Sequence, residues 1–151
     1  MQALALWSAL LASLGAGFVG GLCFAFGSFQ LRAFDRLGAA QAIRSMQSIN
    51  ATILRSSAMP LWWGTALAGA IAAFASSAGA LRWVPLAAYV AGALLVTGRA
   101  NVPLNEALDR VDPDAPEAEQ EWSSYRVRWG RWNALRTALC ALAALGFAWL
   151  A

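Results

Sequence analysis

The sequence contains no histidine and no lysine, only two cysteines, and no carboxylate in any of its long apolar stretches. Each gap removes a class of function. Without histidine there is no imidazole-ligated haem, zinc or iron, and no Ser–His or Cys–His nucleophilic pair. Two cysteines without a C-x-x-C spacing make neither a metal signature nor a disulfide framework, so Cys23 and Cys140 read as buried thiols. No phosphate loop or dinucleotide fingerprint occurs. Apolar stretches free of acids argue against a proton-coupled relay, and no internal repeat supports a carrier. Charged residues are 13% of the chain, about half the usual ~25% of a soluble domain.

What the chain has instead is apolar surface. Hydrophobic residues make up 60% of 151 residues, more than a soluble fold of this size can hide. All eleven cations are arginine, giving a net charge of +3. In such a chain they belong at a membrane boundary, and no nucleic-acid partner is expected.

Charge-free stretches count the membrane passes. Met1–Leu31 and Ser56–Leu81 are 31 and 26 residues without a charged side chain, each beyond the ~20 a spanning helix needs. Trp83–Gly98 and Thr137–Ala151, of 16 and 15 residues, must each extend past an arginine, which snorkelling permits. The expectation is a single all-α domain over 1–151, a four-helix transmembrane bundle with spans near 3–31, 58–80, 83–100 and 132–151. The first span lacks a basic n-region and is too long for a signal peptide, so it reads as uncleaved. The links after the first and third spans hold nearly all the arginines. The positive-inside rule therefore places them in the cytoplasm and both termini outside, in the inner membrane.

Between the spans the pattern changes. Residues 38–55 read as an amphipathic helix, with Ile43, Met46, Asn50 and Ile53 on one face and Gln41, Arg44, Ser48, Thr52 and Arg55 on the other. Asn50 interrupts the apolar stripe, either bonding a neighbouring helix or lining a cavity. Gly17 and Gly21 form a G-x-x-x-G pair, expected to pack against another helix within the molecule. Asn101-Val-Pro-Leu-Asn105 follows the third span, and Pro103 is expected to end or kink that helix at Val102. Asp114-Ala-Pro-Glu117 fits a capping box opening a helix that runs from about 115 to the C-terminus, its part 115–131 standing in the cytoplasmic interface.

That last helix carries an unusual face. Trp122, Arg126, Trp129, Asn133, Arg136 and Cys140 follow at steps of four and three, flanked by Tyr125 and Trp132. An intramembrane arginine such as Arg136 is expected either to mark a functional site or to snorkel to the interface. Amide, indole, phenol and guanidinium donors suit an oxyanion in a low-dielectric pocket better than they suit general-base work.

Four stretches together resemble the anthrone oxygenase-like family of small four-helix membrane proteins. They are Gly21-Leu-Cys-Phe-Ala-Phe26, Met46-Gln-Ser-Ile-Asn50, Asn101-Val-Pro-Leu-Asn105, and Trp122-x-x-Tyr125-x-x-x-Trp129-x-x-Trp132-Asn133-x-x-Arg136. Two departures stand out: the proline many members carry near Gln30–Phe34 is missing, and so is any histidine. The resemblance implies oxidation of a lipophilic anthrone- or quinol-like substrate by O₂ with no cofactor. Asn133, Arg136 and Asn105 then become the candidate catalytic residues. Asn50, Asn101, Trp122, Tyr125, Trp129 and Trp132 become the candidate substrate-binding residues, with no metal. Tyr125, Glu106 and water are the candidate proton acceptors. The other reading is a non-catalytic membrane protein that binds a lipid or quinone, or a small accessory subunit. Partners are then the bilayer and a lipophilic aromatic molecule, in an oligomeric state the residues leave open.

Overall fold

The computed structural model describes residues 2–151, which are almost entirely helical with no strand among them. Four helices are long and apolar enough to cross a membrane: α1 (Gln2–Asp35), α3 (Ala58–Ala75), α4 (Gly79–Leu108) and α5 (Ala118–Leu150). A fifth, α2 (Ala39–Ile53), lies between the first two. Gly38, at a φ of 80°, makes the turn into α2 where a side chain would be strained.

Small residues set the helix spacing. Ala9, Ala12, Ala16, Val19 and Cys23 recur at steps of three and four on α1 and are each at most 2% exposed. Without a hydrophobic drive between apolar helices in lipid, close backbone approach supplies the packing energy. A Cβ on Gly69 would lie 2.6 Å from Phe147 Cζ, and one on Gly92 2.6 Å from Leu139 Cβ. Gly15 is filled by the Thr65 side chain. Gly17 and Gly21 depart from expectation: both face open space. The inward glycines of α1 are Gly15 and Gly20, because the buried stripe follows Ala12, Ala16 and Val19 and leaves the G-x-x-x-G pair on the other side. Ser13 Oγ donates to the Ala144 carbonyl at 2.9 Å, and Arg126 reaches Asp35 at 3.0 Å, so α1 and α5 run antiparallel.

The α3 span stops at Ala75, five residues short of the expected boundary. Ser76 turns extended, and Arg82 Nη1 donates to its carbonyl at 2.8 Å, satisfying an acceptor the helix end leaves free.

Helix α4 does not break at Pro103. The chain instead widens into a π-helical stretch over Val90–Asn101 and returns to α geometry over Val102–Leu108, with Pro103 in that first turn. The Val102 amide reaches back five residues to the Thr97 carbonyl. Pro103 has no amide to continue that ladder to Gly98, so the register change falls where the missing donor costs least. A second π turn, Phe26–Gln30, interrupts α1.

The capping box at Asp114 also does not form. Asp112 accepts from the Asp114 amide at 3.0 Å, and the Asp114 carboxylate pairs with Arg44 instead. The ion pair pulls Asp114 toward α2, and α5 begins at Ala118 with no side-chain cap. Its 33 residues still extend ~50 Å.

The interior divides into two apolar clusters. One gathers Ala9, Ala16, Tyr89, Ala143 and Phe147 between the spans. The other gathers Ile43, Met46, Leu108, Trp122 and Tyr125 where α2 meets the ends of the long helices. Asn101, Asn133 and Arg136 are buried polar residues, and Arg136 touches the Thr97 hydroxyl of α4.

Candidate active-site cavity

Trp122, Tyr125, Trp129, Asn133, Arg136, Cys140, Ala143 and Phe147 are buried on one face of α5. Steps of three and four residues explain why these share a face. Arg126 belongs to the neighbouring rim, where it meets Asp35.

Arg136 is 7% exposed and has no carboxylate partner among the described residues. A lone buried charge is costly unless its hydrogens are used. Nη2 donates to Asn133 Oδ1 at 2.7 Å and Nη1 to Thr97 Oγ1 at 3.2 Å, while the guanidinium lies 5.2 Å from the Trp129 ring centroid. Asn133 is itself fixed, since its Nδ2 donates to the Cys23 carbonyl at 2.7 Å. Two hydrogen bonds and a cation–π contact therefore hold the cation without neutralising it.

Beside this group lies a cavity of about 450 Å³, within the roughly 300–1,000 Å³ of small-molecule sites. Leu22, Phe26, Met46, Trp62, Ala93 and Leu94 form much of its apolar wall. Its polar lining is Asn50, Thr97, Asn105, Glu106, Asp109, Trp129 and Arg136. Both π segments contribute, through Phe26 on α1 and Ala93 to Gly98 on α4. The Ala93 carbonyl accepts from Trp62 Nε1 at 3.0 Å, which seats the indole in the wall.

Three polar atoms in this layer have no partner: Arg136 Nε, Trp129 Nε1 and Asn101 Oδ1. Each is buried, so each carries an uncompensated desolvation cost. Two are donors on cavity-lining residues. The third belongs to Asn101, whose Nδ2 donates to the Trp129 carbonyl at 3.3 Å.

The structure brings some sequence candidates together and separates others. Asn50, Asn105, Trp129 and Arg136 line the cavity. Asn50 also bonds across helices, its Nδ2 donating to Asp109 Oδ1 at 3.0 Å, so both readings of that residue hold at once. Asn133 stands one hydrogen bond behind Arg136 and lines a different groove. Tyr125 stands behind Asn105, donating to its Oδ1 at 2.9 Å. Trp122 lies nearer the helix start, where its Nε1 donates to Asp35 Oδ1 at 2.9 Å. Trp132 does not join them: it is 45% exposed, because at ~100° per residue it sits about 60° round the helix from Trp129, at the margin of the inward stripe. Thr97, Asp109 and Trp62 were not anticipated. Val102, Asn105, Glu106 and Asp109 share one helical face at steps of three, one and three, a signal the sequence carried once α4 is known to continue past Pro103. Among the described residues no three of His, Cys, Asp and Glu gather where a metal ion would sit.

The anthrone oxygenase family model matches residues 50–146, well over half the chain. The match takes in every polar residue of the cavity wall. Searches of curated proteins and of solved structures found no match. With the family match covering α3, α4 and most of α5, the chain belongs to the anthrone oxygenase family.

Proposed function

We propose that this chain oxidises a lipophilic, anthrone-like aromatic ketone or quinol with O₂ in the cavity that all five helices line. The observation that carries the reading is Arg136: a buried guanidinium, with no acid partner among the described residues, on a residue that lines an aromatic-walled cavity.

An anthrone has an acidic C–H across the ring from its carbonyl. Removing that proton gives an enolate whose negative oxygen needs donors in a low-dielectric site. Arg136 and Trp129, which line the cavity, are the residues that supply those donors. The proton passes to Glu106 or Asp109, the two carboxylates of the lining. Tyr125 is spent on Asn105. Asp109 is engaged by Asn50, which leaves Glu106 as the preferred acceptor. The enolate gives one electron to O₂, and the two radicals join in a C–O bond to form a hydroperoxide. Loss of the remaining ring C–H proton with cleavage of the O–O bond releases water and leaves a second carbonyl. The balance is anthrone plus O₂ to anthraquinone plus water.

The ligand enters sideways. Leu54 and Trp63, at 68% and 63% exposure, and Val102 belong to both the lining and the outer surface, so a lipid-soluble substrate reaches the site without crossing water. We place the arginine-rich end, with α2 and the start of α5, in the cytoplasm and both termini outside, in the inner membrane.

Oxygen uptake by the purified protein with a model anthrone tests the reading. Turnover should fall by about 10²–10³ in Arg136→Ala, as for loss of an oxyanion donor, and by about 10²–10⁴ in Glu106→Gln. Anthrone that binds without oxygen uptake, in a protein whose helicity is intact, would instead favour a non-catalytic aromatic-binding protein.

A further inference from the structure

A second concavity, about 690 Å³ in volume, runs between α1 and α5 outside the cavity. On α5 it follows Gly130, Ala134, Thr137 and Ala141, at steps of four, three and four; on α1 its inner end is Phe24 and its outer end Arg32. Gly130 leaves the room: a Cβ there would be 3.9 Å from its nearest neighbour, Leu31 Cδ1.

The polarity of the groove changes along its length. Three arginines, Arg32, Arg126 and Arg131, stand at the end near the α1–α2 turn. Asp35 offsets Arg126 at 3.0 Å, while Arg32 and Arg131 meet no carboxylate among the described residues. From Arg131 inward to Ala141 the helix rises ~15 Å, half of a ~30 Å hydrocarbon core. A cationic head over an apolar channel one leaflet deep matches a single class of molecule.

We propose that this groove holds an anionic phospholipid, its phosphate on Arg32 and Arg131 and an acyl chain along Gly130, Ala134 and Ala141. Guanidinium forks favour phosphate oxygens over the compact charge of an ammonium group, and two uncompensated cations select a headgroup with net negative charge. The groove also touches Asn133, the residue that positions Arg136, so an occupied groove packs against the back of the catalytic cation.

The test uses the full chain in nanodiscs of phosphatidylcholine with increasing phosphatidylglycerol, followed by native mass spectrometry of retained lipid. Wild type should retain phosphatidylglycerol in preference to phosphatidylcholine. Arg32→Gln with Arg131→Gln should weaken retention about 25-fold, taking about fivefold per arginine. Arg128→Gln, on the exposed face outside the groove, should leave it unchanged. Gly130→Leu fills the channel without altering charge and should also expel the lipid. Equal retention in the groove and control variants would overturn the site. So would displacement of the lipid by inorganic phosphate alone, which would mean that the chain contributes nothing to recognition.

Discussion

Arg136 and Asn133 act as a unit, and their variants should separate binding from structure. Asn133→Ala removes the acceptor for Nη2 and the tie to Cys23. The guanidinium then keeps its charge but loses its aim. Turnover should fall by roughly tenfold or more, since small misplacement of a catalytic donor is costly. Arg136→Lys should not restore activity, because an ammonium cannot donate at once to Asn133, Thr97 and a ligand from the same positions. Asp35 binds both Trp122 and Arg126. Asp35→Ala should lower stability by about 1–2 kcal/mol, one hydrogen bond plus one part-exposed ion pair, read as a lower thermal midpoint with oxygenase turnover retained.

At the scale of elements, helix contact in this chain depends on where the glycines face. Gly69→Leu drives a side chain into Phe147 and should cost about 1–3 kcal/mol. Gly17→Leu extends into open space and should change stability by less than ~0.5 kcal/mol; thermal denaturation in detergent reads both. The sequence shows two spans by charge-free length alone, and the other two once each is allowed to run past an arginine at its end. It shows the amphipathic α2 because Ile43, Met46, Asn50 and Ile53 recur at helical spacing, and of these Ile43 and Met46 are buried. It hides which of two glycine sets on α1 faces inward, since both repeat at helical spacing. It also hides the fate of Pro103. A proline after a span reads as a stop, but widening the preceding turns to the π register lets the helix pass. The Asp114 capping box fails for a tertiary reason: Arg44, seventy positions away, takes the carboxylate that the local pattern assigns to a helix end.

At the scale of the whole molecule, the proposed function joins a buried cation to a cavity that opens on the outer surface of the helices. The inward face of α5 was legible in part: Trp122, Trp129, Asn133, Arg136 and Cys140 are buried, whereas Arg126 and Trp132, of like residue types and spacing, lie at its margins. The cavity wall on α4 was legible only in part. Asn105 stood out as an amide beside a proline, whereas Thr97, Glu106 and Asp109 gained their place from the continued helix. Cysteine accessibility on intact cells reads the orientation. A cysteine replacing Arg110 should react with membrane-impermeant maleimide only after lysis, and one replacing Ala151 should react before it; the reverse pattern would invert the assigned topology.

The central claim is that the buried face of α5 borders a ligand chamber whose anchor is Arg136. Equilibrium titration with a hydroxylated anthraquinone, followed by quenching of tryptophan fluorescence, tests it without requiring turnover. Quenching should saturate in wild type, weaken at least about tenfold in Arg136→Ala, the loss of one charged hydrogen bond, and vanish when Ala93→Trp fills the chamber. Unsaturable quenching of equal size in all three proteins would show partition into the lipid or detergent and would contradict the account.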